Sequence, residues 1–457
     1  MKRFCLIFSL LVFVFAVKAQ QSVNFQKLRY DDDFSYLKKD SAKTWYKKLK
    51  YTPLSSDGST YISAGGEVRY QYQYFKNENW GDAPKDNDGY VLTRYLFHTD
   101  LKVGSHFRAF FQLQSSLADG RIDPSPVDQN VLDVHQLFFD ANLYGKESES
   151  LILRAGRQEM LYGSQRIIAV REGPNNRLAF DGVKAMLKRK NFKTDAFYTH
   201  PVVNRPEIFN DHFNKNTKLW GSYSTFNAVP VLHNIDLYYL GLWKRNTVLD
   251  DGQGKERRHS LGTRIWKSKG NFTYDFEGLY QFGKLGAANI MAWTVSSNTA
   301  YRFENIKFKP TFSLKTEAIS GNRNYGDGTV ETFNPLFPRG AYFGLAALVG
   351  PSNMIDLHPS IQLQLLPDLS LTTDCDFFWR MSKNDGIYAP NLSLIYYGAA
   401  NNNAYTGTQL AANFDYTAND FLSFTLEGTW FAPGDYLKQS SPGKNVYFTA
   451  VTAQFKF

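Results

Sequence analysis

The sequence predicts an all-β fold: a transmembrane antiparallel β-barrel of about 18 strands, with short periplasmic turns and long extracellular loops. Three observations lead there. The chain is polar on average, with a mean hydropathy of −0.40, yet 16% of it is aromatic, with 28 Tyr and 37 Phe. Much of that aromatic content falls on alternate positions, as in Tyr70-Gln71-Tyr72-Gln73-Tyr74, and a period of two places such residues on one face of a strand. The third observation is that tight and long connections alternate along the chain, the layout of a bacterial outer-membrane barrel.

Period-two patterning marks segments at 60–75, 89–104, 106–115, 132–144, 150–160, 177–189, 191–200, 218–226 and 233–245. It continues at 256–267, 270–283, 288–303, 306–319, 353–366, 368–382, 405–417, 420–432 and 445–457. Tight links sit at 104–106, 145–149, 189–191, 228–232, 268–270, Asn305, Pro367 and 418–419, after every second segment. The intervening links are longer, at 76–88, 116–131, 161–176, 201–217, 246–255, 320–352, 383–404 and 433–444, with 284–287 the short exception. An even strand number puts both termini on the short-turn side, the periplasm.

The ends agree with export. Lys2 and Arg3 precede an apolar run over 4–17 and then Val17-Lys18-Ala19, the layout of a secretory signal peptide cleaved after Ala19. The run is shorter than the roughly 20 residues of a spanning helix. Residues 20–59 read as a periplasmic lead-in with one helical turn near 36–39, and 60–457 as the barrel. Asp31-Asp32-Asp33 lacks the ligand spacing of a calcium loop. Past the leader one cysteine remains, Cys375, which excludes an internal disulfide and a cysteine metal cluster. The 49 basic and 43 acidic residues that remain give a net charge of +6, scattered along the chain, so nucleic-acid binding is not expected. No cofactor or metal is expected either.

The final stretch puts Tyr447, Thr449, Val451, Ala453, Phe455 and Phe457 on one face, and Phe448, Thr452, Gln454 and Lys456 on the other. This ending resembles the C-terminal signal by which outer-membrane barrels engage the barrel-assembly machinery, with Phe457 as its last residue.

In lipid every backbone group needs a neighbour, so the barrel closes and charge turns inward. A lipid-facing Arg or Lys near the midplane would cost roughly 2–4 kcal/mol. By phase the inward, pore-lining candidates are Arg69, Arg94, Arg108, Arg154, Arg157, Glu159, Arg264, Arg302, Lys307, Lys309, Lys315 and Arg380. Arg157 shares the inward face with Arg154 only if Gly156 marks a bulge; otherwise it sits at the outer rim. In 306–319, Ile306, Phe308, Pro310, Phe312 and Leu314 face out, and Pro310, which has no N–H, implies a bend or bulge.

Two readings of the inward charge stay open. Arginines and acids either pair across the wall and hold its shape, or form a cationic path for an anion with weak multi-site binding. The guanidinium fork suits carboxylates. An enzyme would need a nucleophile beside a base, and Gly163-Ser164-Gln165-Arg166 is not a nucleophile elbow. Loop 320–352 is long enough to imply a role: its 333–339 portion is expected either to fold over or into the mouth or to pack on neighbouring loops.

Five stretches carry a family likeness: LRYDDDFSYL, YISAGGEVRYQYQYF, LRAGRQEMLYGSQR, NRLAFDGVKA and TFNPLFPRGAYFG. With these the chain resembles the alginate-export porins over nearly its whole mature length. The resemblance implies an eighteen-stranded channel in the outer membrane of a Gram-negative bacterium, with Arg154, Arg157 and Glu159 as matching pore-lining candidates. It implies passage of anionic solutes, polyuronate or related anionic saccharides, with outer-membrane lipid and the solute as partners. A general diffusion porin without saccharide selectivity is the alternative.

Overall fold

The barrel wall is built from long alternating strands whose two faces meet different media, which is why a chain this polar can span a membrane. A computed structural model describes residues 23, 25–39, 44–146 and 149–457; the leader read over 1–19 lies outside them. The wall strands are β1 (Tyr61–Lys76), β2 (Tyr90–Val103), β3 (Phe107–Asp119), β4 (Asn130–Lys146), β5 (Glu149–Gln158), β6 (Phe180–Arg189), β7 (Phe192–Val203), β8 (Thr217–Val229) and β9 (His233–Val248). They continue as β10 (Gln253–Lys267), β11 (Phe272–Leu285), β12 (Ala288–Arg302), β13 (Thr311–Ile319), β14 (Met354–Leu366), β15 (Leu369–Trp379), β16 (Tyr405–Thr417), β17 (Leu422–Pro433) and β18 (Val446–Lys456). Each pairs antiparallel with its sequence neighbours, and β1 closes on β18 from Glu67↔Lys456 to Lys76↔Tyr447. Closure leaves no strand edge unpaired in lipid.

The outward phase is apolar and uncovered around the ring: Tyr72, Phe97, Phe139, Leu153, Val183, Leu237, Leu261, Val295, Phe312, Leu410, Leu426 and Val451 are all exposed. The inward phase of the same strands is polar and buried, with Glu67, Arg94, Gln112, Asp140, Asp236, Glu277, Asp376 and Glu427 among its members. A buried polar inner face requires something to cover it, and two loops and the N-terminal segment do so.

The loop 159–179 after β5 and the loop 320–353 after β13 both turn into the lumen and pair with each other. Ile168 and Phe337 form a parallel bridge; Ala169 N donates to Phe337 O (2.9 Å), Phe337 N to Ile167 O (2.9 Å) and Arg339 N to Gln165 O (3.1 Å). Gly340 lies so close to Pro174 that a Cβ there would stand 2.5 Å from its ring. From the periplasmic side, residues 25–39 and 44–51 close the mouth with a 3₁₀ turn at Ser35–Lys39 and a helix, α1 (Trp45–Lys50), whose first turn is capped by Thr44 Oγ1 accepting from Lys47 N. Arg29 ties this segment to the barrel seam by donating to Gly66 O (2.9 Å) and Phe457 O (3.0 Å).

One expected strand is shorter than its pattern. β13 begins at Thr311, and 303–310 form a turn closed by Phe303 N donating to Pro310 O (2.9 Å). Phe308 and Lys309 adopt left-handed φ of 65° and 43° there. Without an N–H, Pro310 cannot extend the ladder, so the strand starts just beyond it.

Candidate functional site

The inner wall has a locked half, and strands beyond it border two cavities. In the locked half, β1–β5, arginines are consumed by fixed partners. Arg94 bridges Glu67 and Glu172, with Nη2 2.5 Å from each. Arg69 donates to Glu172 O (2.8 Å) and Pro174 O (3.0 Å). Arg177, within the inner loop, continues the chain to Glu172 (2.9 Å) and Glu159 (2.7 Å), and His135 Nε2 lies 2.8 Å from Glu159 Oε1. Together these contacts fasten the loop 159–179 to the wall.

Nearer the periplasm, Arg108 pairs with Asp100 and Arg154 with Asp140, each at 2.7 Å. Arg154 also stacks 3.7 Å over Phe138 and 4.3 Å over Tyr30. Tyr30 is the tip of the N-terminal segment: buried, edge-on to Phe110 and Phe138, and donating its hydroxyl to Glu159 O (2.8 Å). The Lys50 ammonium of α1 donates to Ala64 O (2.8 Å) beneath the Phe34 ring. Burial and the nearby Arg29 guanidinium lower it to about 7.

The other half is less saturated. A cavity of about 450 Å³ is bordered by Arg264, Lys267, Lys315, Arg339 and His358, with Trp266 and Tyr274 as aromatic walls and Asp275 as the one carboxylate. A second cavity, about 410 Å³, shares Arg264 and Trp266 with it and mixes Lys184, Lys193 and Arg154 with Asp31, Asp195 and Asp236. Arg264 stands between the two, held by Asp236 (3.0 Å) and Asp275 (2.6 Å).

Several sequence expectations need correction. Arg157 does not face inward. The register Arg154↔Asp140, Gly156↔Phe138, Arg157↔Leu137 runs without a bulge, so Arg157 shares the outward phase of Leu137 and pairs with Asp181 (2.8 Å) at the rim. Gly156 is required for a different reason. At φ 128°, a Cβ on it would sit 2.2 Å from Leu137 O. Lys307 and Lys309 lie on the exposed 303–310 turn rather than on a wall strand. Glu159 is the first residue of the inner loop. Arg380 lies just past β15 and is a loop clamp, its guanidinium donating to the carbonyls of Lys383, Asp385, Gly398, Asn401 and Asn403. Arg302 keeps the inward phase at the periplasmic end of β12, paired with Glu304 (2.9 Å).

Sequence reasoning missed the side chains that the inner loops carry. Arg166 reaches Glu277 on β11 (3.1 Å) and Glu317 on β13 (2.9 Å). Arg339 likewise has no strand phase to betray it, and Arg177, which the pattern puts at the start of 177–189, lies in the loop because β6 begins only at Phe180. The signal available was chemical: 167–170 reads Ile-Ile-Ala-Val between Arg166 and Arg171, an apolar run ill suited to a loop in bulk water.

Closed antiparallel topology, an apolar outer belt and a charged, loop-filled lumen define an outer-membrane β-barrel of the porin type. Residues 60–451 match the alginate export family, and the chain belongs to it. Comparison with curated proteins gave no significant match. Among solved structures, a BenF-like porin from Pseudomonas fluorescens Pf-5 is similar at a TM-score of 0.59 and 9% identity, over 87% of this chain and 98% of that one. OpdK of Pseudomonas aeruginosa, solved with vanillate, is similar at 0.55 and 10% identity, over 86% and 98%. OccK2 (OpdF) of the same species, in complex with glucuronate, is similar at 0.55 and 10%, over 87% and 98%. At such identities the likeness is one of fold.

Proposed function

We propose that the protein conducts anionic solutes, uronate-type saccharides foremost, past Arg264, Lys315 and Arg339. On this reading the β1–β5 arginines serve to hold the inner loop and the N-terminal segment in place. The carrying observation is the cavity of about 450 Å³ whose border holds four Lys or Arg side chains, one carboxylate, and the rings of Trp266 and Tyr274. Cationic forks suit carboxylates and aromatic faces suit the apolar faces of sugar rings. The presence of glucuronate in a fold neighbour's structure supports the same solute class.

Conduction on this reading is gated. Tyr30 and its segment stand at the periplasmic mouth, and the paired inner loops stand in the lumen, so flux follows their displacement. Liposomes containing the refolded chain are expected to take up glucuronate oligomers faster than neutral oligomers of equal length. The Arg264→Gln, Arg339→Gln double variant should erase the difference. Equal rates for both solutes in the parent protein would overturn the reading.

A further inference from the structure

On the cavity side, three adjacent strands bring an uncompensated acidic group to the inner wall. Lys315 and Glu317 of β13 stand opposite His358 and Asp356 of β14, and β15 adds Asp374 and Asp376 beside them. Donor atoms of Asp356, His358 and Asp376 all lie within 4.8 Å of one another. His358 Nδ1 is 2.5 Å from Asp376 Oδ1, without hydrogen-bond geometry, and His358 Nε2 is 3.6 Å from Asp374 Oδ1. Gln409 Nε2 donates to the other oxygen of Asp376 (2.9 Å) and fixes that carboxylate.

Asp356 supplies the second, independent observation. Its side chain is 0% exposed, and neither carboxylate oxygen accepts a hydrogen bond from any described residue. The nearest cation, Lys315 Nζ, is 3.6 Å away and also 3.4 Å from Glu317 Oε2. It is further drawn to the rings of Tyr342 and Phe343 (4.9 and 4.6 Å). Glu317 has Arg166 as a second partner, at 2.9 Å; Asp356 has no second ion-pair partner among the described residues. Buried carboxylate oxygens left without donors are costly and are normally satisfied by a partner or an ion.

We propose that Asp356, His358 and Asp376 form a divalent-metal site on the lumen wall. One imidazole and two carboxylates are the donor set of Zn²⁺, Mn²⁺ or Fe²⁺, with Zn²⁺ bound most tightly of the three. Access is open, because His358 borders the cavity of about 450 Å³. A bound dication replaces Lys315 as the counter-charge of Asp356 and leaves that ammonium to Glu317. The site rests on the wall chemistry alone and stands whether or not the solute reading does.

The test uses the full mature chain, untagged, refolded in detergent and stripped of metal. Equilibrium dialysis against Zn²⁺ alone should give one tightly bound ion per chain, removable by chelator. Asp356→Asn and His358→Gln should each weaken it by more than about 10-fold, the loss that follows even from disturbing a ligand's neighbours, while His106→Gln should leave it unchanged. Heat-modifiable migration on gels checks folding; if Asp356→Asn fails it, His358→Gln, at a partly exposed position, carries the test. Co²⁺ loaded in place of Zn²⁺ should show ligand-field absorption that His358→Gln abolishes. No saturable Zn²⁺ binding, or equal binding by the parent and both variants, overturns the proposal.

Discussion

Replacing Arg166 by methionine should unfasten the inner loop from the far wall. The Arg166 guanidinium donates to Glu317 Oε1 (2.9 Å), the Tyr342 hydroxyl (2.7 Å), Glu277 Oε2 (3.1 Å) and Thr294 Oγ1 (3.0 Å). It therefore links β11, β12 and β13 to the loop 159–179 and, through Tyr342, to the loop 320–353. Met fills similar length but removes the charge, leaving Glu277 and Glu317, at 3% and 0% side-chain exposure, without the guanidinium they share, and Lys315 (3.4 Å) as the cation of Glu317 alone. Breaking one side of a buried pair costs about 3–5 kcal/mol. At about 1.4 kcal/mol per tenfold, the ratio of docked to undocked loop should fall by roughly 10²–10⁴. The assay is single-channel recording in a planar bilayer. Arg166→Met should spend much of its time in a higher-conductance state that the parent protein visits rarely, and adding Glu277→Gln and Glu317→Gln should restore much of the low-conductance behaviour. Identical traces for parent and variant would refute the idea that this contact holds the loop in the lumen.

Other outcomes follow from the same geometry. Because Lys50 titrates near 7 when docked and near 10.4 when free, the docked segment holds fewer protons between those values. Its docking therefore tightens by about 1.4 kcal/mol per pH unit as pH rises above 7, so conductance should be lower at pH 9 than at pH 6, and Lys50→Met should remove that dependence. Arg380→Met should expose 383–403 to proteolysis and lower thermal stability while leaving ion selectivity unaltered, since five loop carbonyls are its partners. Lys307→Gln with Lys309→Gln should leave the reversal potential within error of the parent value, because both lie on the exposed turn; a shift toward cations would return them to the conduction path.

The wall was legible because lipid imposes a rule that sequence records directly. Every outward position must be apolar and every charge must find the other phase, so strand after strand, from Tyr70-Tyr72 in β1 to Tyr447-Val451 in β18, shows its orientation in a period of two. The same rule misread two places for physical reasons. Arg157 breaks it at the rim, where Asp181 neutralises the guanidinium and the membrane core is past. The 306–310 stretch continues the alternation of β13, but Pro310 cannot join the ladder, so Lys307 and Lys309 inherit a phase without a strand. The lumen was hardly legible at all. Arg94, Arg108 and Arg154 are inward as their phase requires, yet nothing in the period shows that Glu172, Asp100 and Asp140 hold them. Arg166 and Arg177 sit on a loop whose entry into the barrel depends on contacts over a hundred residues away. Likewise the convergence of Asp356, His358 and Asp376 is a matter of cross-strand register, visible only once β14 and β15 are aligned.

On the proposed reading, anions pass a cationic lumen whose selective charge lies at Arg264, Lys315 and Arg339. The most direct test is the reversal potential of the refolded chain in a bilayer under a KCl gradient, compared with that of the Arg264→Gln, Arg339→Gln variant. The parent protein should give a potential on the chloride side and be blocked by added oligouronate, and the variant should lose both. A cation-selective or unselective potential, unchanged by the substitutions, would contradict it.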